Sequence, residues 1–247
     1  MRILIVYAHP YPKSFNHAIL ESFTRGLTDG GNTFEVVDLY AIKFNPIVQM
    51  NDLSSCIRED TPEWVLELLN IKEMVINLSG GPIKRFIAKR WMRDKDLSEV
   101  AKLITSQKKP KDILEQQAKV AQAEAIVFIS PIWWNNFPTI LKGWVERVFS
   151  YGFAYSLTEE GWRGSVNGRI PLLKLKKALI INTLFFQEEA YKKIGLEEAM
   201  RISIDEWGLK YPGIPEVNHV YFYTIYGVDN ETRKGWLEKT YRLGKEF

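Results

Sequence analysis

Apolar, β-branched runs recur along the chain at Ile3 to Tyr7, Phe34 to Val37, Ala125 to Ile129, Ala178 to Ile181 and Val220 to Ile225. Continuous runs of this kind read as strands covered on both faces, the condition of a strand inside a parallel sheet. The segments between them have helical spacing, which predicts helices over Asn16 to Leu27, Pro62 to Met74, Asp112 to Gln122, Pro138 to Phe149, Leu196 to Trp207 and Glu231 to Phe247. Strands alternating with helices predict an α/β fold, a five-stranded parallel sheet with helices on both faces. In the strand order 2-1-3-4-5 the first and third strands flank the point where the winding reverses. Ligand chemistry is then expected from the loops after Ala8 and after Ser130. The whole chain, residues 1–247, reads as a single domain, with a long insertion over 42–111 between the second and third strands. That insertion is far longer than a crossover needs.

The first loop carries His9, Ser14 and Asn16. Ser14 is placed to cap the following helix, whose first amides and positive dipole end suit a phosphate. A capped turn with no ligand would look the same. The second loop reads Pro131-Ile132-Trp133-Trp134-Asn135-Asn136-Phe137-Pro138. A flat aromatic beside exposed amides can lie along a planar heteroaromatic ring while the amides bond its edge, which suits a flavin. Filling a gap under the insertion, or a subunit contact, is the competing use of the two tryptophans.

Composition narrows the partners. A net charge of +3 with 26% charged residues gives no global field for nucleic acid or an acidic membrane, so a small-molecule partner is expected. The segment from Ile83 to Asp96 is locally basic, with six cationic against two acidic residues, and is expected to be a solvated helix face. One cysteine, Cys56, and three histidines exclude an internal disulfide and leave no cluster at metal-ligand spacing. With no signal-peptide pattern and no apolar run near ~20 residues, the expectation is a cytoplasmic protein without membrane insertion.

Four stretches resemble the NAD(P)H:quinone oxidoreductase family of flavodoxin-like flavoproteins. They are AHPYPKSFN (Ala8 to Asn16), DLYAIKFNPI (Asp38 to Ile47), DILEQQAKVAQAEAIVF (Asp112 to Phe128), and PIWWNNFPTILKGWVERVF with GFAY (Pro131 to Phe149, Gly152 to Tyr155). The similarity thins past Tyr155. The resemblance implies that His9, Ser14, Phe15 and Asn16 hold the dinucleotide's phosphates. It also implies that Pro131, Ile132, Trp133, Trp134 and Asn135 run along the isoalloxazine, with Trp134 aligned to the family's flavin-loop tryptophan and Asn135 replacing an aromatic.

The family's strand-four loop reads Thr-Thr-Gly-Gly, where this chain has Asn182-Thr183-Leu184-Phe185. Asn182 and Thr183 are carried over as cofactor-binding, and the lost glycines imply a differently shaped flavin edge. Tyr191 is the nearest match to the family's relay tyrosine, and Lys192 to Leu196 after it hold no histidine. His219 is expected to begin the fifth strand, so the relay is absent or altered. By resemblance the activity is hydride transfer from NADPH or NADH, through FAD (alternatively FMN), to a quinone-type acceptor in a homodimer. An azo, nitroaromatic or free-flavin acceptor and a flavodoxin-like regulatory subunit are the other readings. No GxGxxG follows a strand, so a dedicated Rossmann dinucleotide fold is not expected.

Overall fold

The computed structural model describes residues 1–49, 52, 57–106 and 110–247; Cys56 and part of the expected insertion lie outside the described residues. In the first third of the chain, β1 (Arg2–Tyr7) leads to α1 (Phe15–Asp29) and β2 (Thr33–Asp38). A helical stretch follows: α2 (Glu63–Leu68), α3 (Ile71–Leu78), α4 (Pro82–Met92), α5 (Leu97–Thr105) and α6 (Lys111–Gln122). Next come β3 (Ala125–Pro131), α7 (Thr139–Val148), β4 (Tyr155–Leu157), α8 (Glu159–Trp162) and β5 (Arg169–Pro171). The chain closes with β6 (Lys177–Thr183), α9 (Glu188–Lys193), α10 (Leu196–Met200), a π-helical segment (Arg201–Lys210), β7 (Glu216–Phe222) and α11 (Asn230–Lys245).

These elements fold as two compact units. Met1–Pro46, Ala118–Val145 and Leu173–Phe247 make the first, and Ile47–Gln117 with Glu146–Leu172 make the second. The first unit is built on a sheet of order β2-β1-β3-β6-β7 whose neighbours all pair in parallel, the expected order. Both faces of β1 and β3 are buried, as their unbroken apolar runs require. On one face Ile3, Ile5, Tyr7, Val127, Ile129, Leu179, Ile181 and Phe222 pack against Ile19, Leu20, Phe23 and Leu27 of α1, with Trp236 and Leu237 of α11 beside them. Burying such side chains contributes roughly 1.5–3 kcal/mol each, so this face anchors the strand ends that carry the loops.

The second unit has its own core of Ile57, Leu66, Ile71, Val75, Met92, Val100, Ala101 and Ile104. It also holds the antiparallel pair β4 and β5, for which the apolar pattern gave no sign. Arg147 is its buried cation: Nε and Nη2 donate to the two oxygens of Asp52 (2.7 and 3.1 Å) and Nη1 to Asp112 (2.7 Å). Met92 is the residue of α4 in that core, and the helix's cations lie in solvent as expected. Its apolar side chains Ile83, Phe86, Ile87 and Trp91 are exposed as well.

Three elements differ from the sequence pattern. The helix expected over Pro62 to Met74 is two helices, because Asn70 takes left-handed φ 47° between them, a conformation asparagine tolerates. The one expected over Leu196 to Trp207 widens into a π-helix after Met200. The fifth sheet strand spans Glu216–Phe222 instead of Val220 to Ile225. Its first half is polar because it is an edge strand, and Thr224, at φ 56°, ends the extended run.

Among the described residues no helix is long and apolar enough to cross a membrane. No group of three or more His, Cys, Asp or Glu among them is arranged to hold a metal.

Candidate active site

Both loops expected to carry chemistry open onto one cavity of about 580 Å³ in the first unit. At the end of β1, Ala8 N–H donates to Ile129 O (3.0 Å), which ties the strand's exit to β3. Ser14 then caps α1 in extended conformation (φ −74°, ψ 162°), its Oγ accepting from His17 N–H at 3.2 Å. Ser14 takes the amides of His17 and Ala18, and those of Phe15 and Asn16 lie before them at the positive end of the helix, which suits an anion in the cavity that Ser14, Phe15 and Asn16 line. His9 lines it too. Its Nδ1 lies 3.1 Å from Tyr11 N and 3.2 Å from Tyr11 O, so the backbone of Tyr11 holds the ring in place. Burial holds its pKa below the ordinary histidine value, so the ring is neutral at pH 7.

Asn16 links this wall to the next. It is buried, and its Nδ2 donates to Thr183 Oγ1 (2.9 Å) at the end of β6. Its Oδ1 is buried without a hydrogen-bond partner. An unpaired buried acceptor costs roughly 1–3 kcal/mol, and here it belongs to a cavity wall, where a ligand hydroxyl would satisfy it.

In the second loop Ile132 N–H donates to Thr183 O (2.9 Å), joining β3's exit to β6's. Trp133 and Asn136 exchange both backbone bonds (3.0 and 3.1 Å), and Trp134 and Asn135 between them have φ 50° and 59°. That is a type I′ turn. It turns Trp134 fully to solvent at 99% exposure, while Trp133 lines the cavity with its ring 6.2 Å from that of His9.

The cavity therefore gathers His9, Ser14, Phe15, Asn16, Pro131, Ile132, Trp133 and Thr183. It does not gather Trp134, Asn135, Asn182 or Tyr191. Trp134 and Asn135 sit exposed on the turn. Asn182 is fully buried behind the wall, its Nδ2 donating to Ser130 O (2.8 Å) and to Ser130 Oγ (3.1 Å). Tyr191 is buried among Phe186 and Tyr223, with ring centroids 6.3 and 5.8 Å away. The amides expected along a planar ligand are partly committed already, because Trp133 N–H bonds Asn136 O and Leu184 N–H bonds Phe222 O (2.9 Å).

Sequence reasoning missed Tyr11, Phe185, Tyr226 and Arg233, all of which line the cavity. Arg233 brings a cation, held in the first turn of α11 by Ile225 O (3.1 Å) and Asn230 Oδ1 (3.2 Å). Phe185 stands where the family's strand-four loop has a glycine, and Tyr226 and Arg233 lie farther on, where no family motif marks them. The available signal was Asp229, which caps α11 and accepts from Thr232 N–H at 2.8 Å, marking a second helix start beside the sheet's carboxyl edge.

Residues 1–243 match the family described as having a flavodoxin-like fold. The chain is 31% identical over 219 residues to a ribosyldihydronicotinamide dehydrogenase-like protein of Penicillium crustosum, covering 86% of this chain and 69% of that protein. The chain belongs to the NAD(P)H:quinone oxidoreductase family of flavodoxin-like proteins. Rat ribosyldihydronicotinamide dehydrogenase [quinone] is 30% identical over 210 residues, covering 85% of the chain and 74% of the rat protein. In fold, the NAD(P)H:quinone oxidoreductase from Methanothermobacter marburgensis superimposes with a TM-score of 0.70 at 24% identity, covering 100% of this chain and 96% of that one. As a quinone oxidoreductase family member, this chain departs from the strand-four pattern where the structure spends the Leu184 amide on Phe222.

Proposed function

We propose that this protein is an NAD(P)H dehydrogenase (quinone)-like flavoenzyme that passes a hydride from NADPH or NADH, by way of bound flavin, to a quinone-type acceptor. One observation carries the reading: an anion-binding helix start and an aromatic wall meet in a single cavity at the reversal of the sheet's winding.

The residues present fit a flavin. The α1 start, the His9 ring and the Arg233 guanidinium would hold its phosphates. Asn16 Oδ1, buried and unpartnered, would accept from a ribityl hydroxyl. Trp133 would lie along the ring system, with Pro131 and Ile132 completing that wall. When bound, the flavin supplies the two-electron acceptor and donor chemistry. The chain's own residues position it, and Phe185 and Tyr226, whose ring centroids are 5.8 Å apart, offer a planar acceptor an aromatic surface.

FAD is favoured over FMN because the chain's length and long insertion are those of the FAD-binding members it resembles. The unit that completes the site is a homodimer, acting in the cytoplasm. Donor and acceptor share one face in turn, so initial-velocity plots form parallel lines; intersecting lines count against shared occupancy.

The test is the visible spectrum of the purified protein, with heat release and chromatography of the cofactor. Bound flavin bleached anaerobically by NADPH or NADH and restored by a quinone supports the reading. Flavin that resists bleaching moves the protein to a regulatory role, and a chain that cannot be loaded with FAD or FMN overturns the assignment.

A further inference from the structure

Behind the Thr183 wall runs a buried polar chain that the proposed reaction does not yet use. Asp205, in the π-helical segment, lies 2.9 Å from His219 Nδ1, and His219 Nε2 lies 2.7 Å from Asn182 Oδ1. Asn182 continues the chain to Ser130 at the end of β3. Side chains of His219 and Asp205 are 5% and 7% exposed, and Asn182 and Ser130 are fully buried.

The hydrogens of this chain follow from its partners. Ser130 O is a carbonyl and can only accept, so the Asn182 atom facing it is the amide nitrogen and the atom facing His219 is the amide oxygen. His219 Nε2 must therefore donate. On the other side of the ring, Nδ1 faces a carboxylate oxygen, which also accepts. The remaining neighbour, Tyr221, stacks on the ring at 3.9 Å with its hydroxyl 3.0 Å from Nδ1, and burial holds that phenol far above its usual pKa, so it stays neutral. Tyr221's hydroxyl is itself a donor within reach of Nδ1, so a cationic ring requires that Nδ1 give its hydrogen to Asp205.

We propose that His219 is a buried imidazolium, paired to Asp205, that serves as a positioning residue for the flavin site: it fixes the Asn182 amide, ties β7 through β6 to β3, and favours the reduced flavin. The last part rests on the flavin reading above. Hydride transfer adds one hydrogen nucleus and two electrons, a net negative charge, to the flavin. Small residues in the family's strand-four loop let amides answer that charge, whereas here the Leu184 amide is spent on Phe222. The ion pair substitutes a fixed dipole whose positive end is the one bonded to Asn182, next to Thr183 in the cavity wall. The π-helix makes this possible, since its wider turn carries Asp205 inward while Arg201 and Glu206 remain at the surface.

Two measurements test this on the full-length protein. In wild-type protein labelled with ¹⁵N-histidine, both ring nitrogens of His219 are expected to carry hydrogen at pH 7, with or without flavin; one bare nitrogen overturns the proposal. Asp205→Asn keeps a donor-acceptor contact to Nδ1 but neutralises the ring. The variant is expected to fold, to lose one ring hydrogen, and to bind reduced flavin about tenfold less tightly relative to oxidised, about 30 mV for a two-electron couple. His219→Gln, which leaves Asp205 unpaired, is expected to lower the potential further. Potentials unchanged in both variants overturn the redox role. A protein that takes up no flavin overturns the functional reading instead, while the ring's hydrogen count still decides the cation.

Discussion

His9 and Asn16 show how much of the site depends on single atoms. The His9 pKa is held below the ordinary ~6.5 of an unfolded histidine, so on acidification the unfolded chain binds the proton first. Its contribution is complete above that value and is lost as pH falls through the lowered pKa. The apoprotein's thermal midpoint should therefore drop more steeply between about pH 7 and pH 5 in the wild type than in His9→Gln, in paired melting curves. For Asn16 the prediction concerns affinity. Asn16→Ala removes the bond to Thr183 Oγ1 and the only acceptor of that side chain, and a net hydrogen bond of about 1–1.5 kcal/mol corresponds to roughly tenfold weaker flavin binding by titration.

At the scale of elements, the second loop separates two tryptophans that are neighbours in sequence. The I′ turn puts Trp133 on the cavity wall and places Trp134 in left-handed conformation with no contact to the cavity. A non-glycine residue held there is strained by roughly 1–2 kcal/mol. Trp134→Gly should therefore raise the thermal midpoint and leave flavin affinity unchanged, whereas Trp133→Ala should weaken it; equal losses in both would mean that the turn rearranges around the ligand. This division was not legible in the sequence, since adjacency says nothing about turn type. What was legible had a strong local cause. The buried strands have unbroken apolar runs, and Ser14 has a capping side chain exactly one residue before α1. The motif pairing of FNP with LKGW also has a physical cause: a Cβ at Gly143 would lie 2.2 Å from Pro46 O, so the helix can approach that turn only with glycine there. Arg233 and the His219 chain were hidden because contacts between residues far apart in sequence make them, and the polar half of an edge strand leaves no apolar signature.

For the whole molecule, every residue lining the cavity belongs to the first unit, while the buried Arg147–Asp52 ion pair belongs to the second. That division makes stability and site separable. Arg147 is 3% exposed at its side chain and donates to both oxygens of Asp52, itself 8% exposed. Removing the guanidinium alone would leave Asp52 a buried carboxylate without its cation, a change that costs about 3–5 kcal/mol. For a chain of this size each kcal/mol shifts the thermal midpoint by roughly 2–4 °C, so Arg147→Met should lower it by about 6 °C or more. Replacing both partners, as Arg147→Met with Asp52→Leu, removes the stranded charge and should recover much of the loss, because a well-packed apolar pair is often as stable as the ion pair it replaces. Flavin affinity of the folded fraction should stay at the wild-type value in the single and the double variant. Calorimetry and flavin titration on the same samples decide it: a double variant no better than the single one would mean that Asp112 and the remaining neighbours, not the stranded Asp52 charge, set the cost.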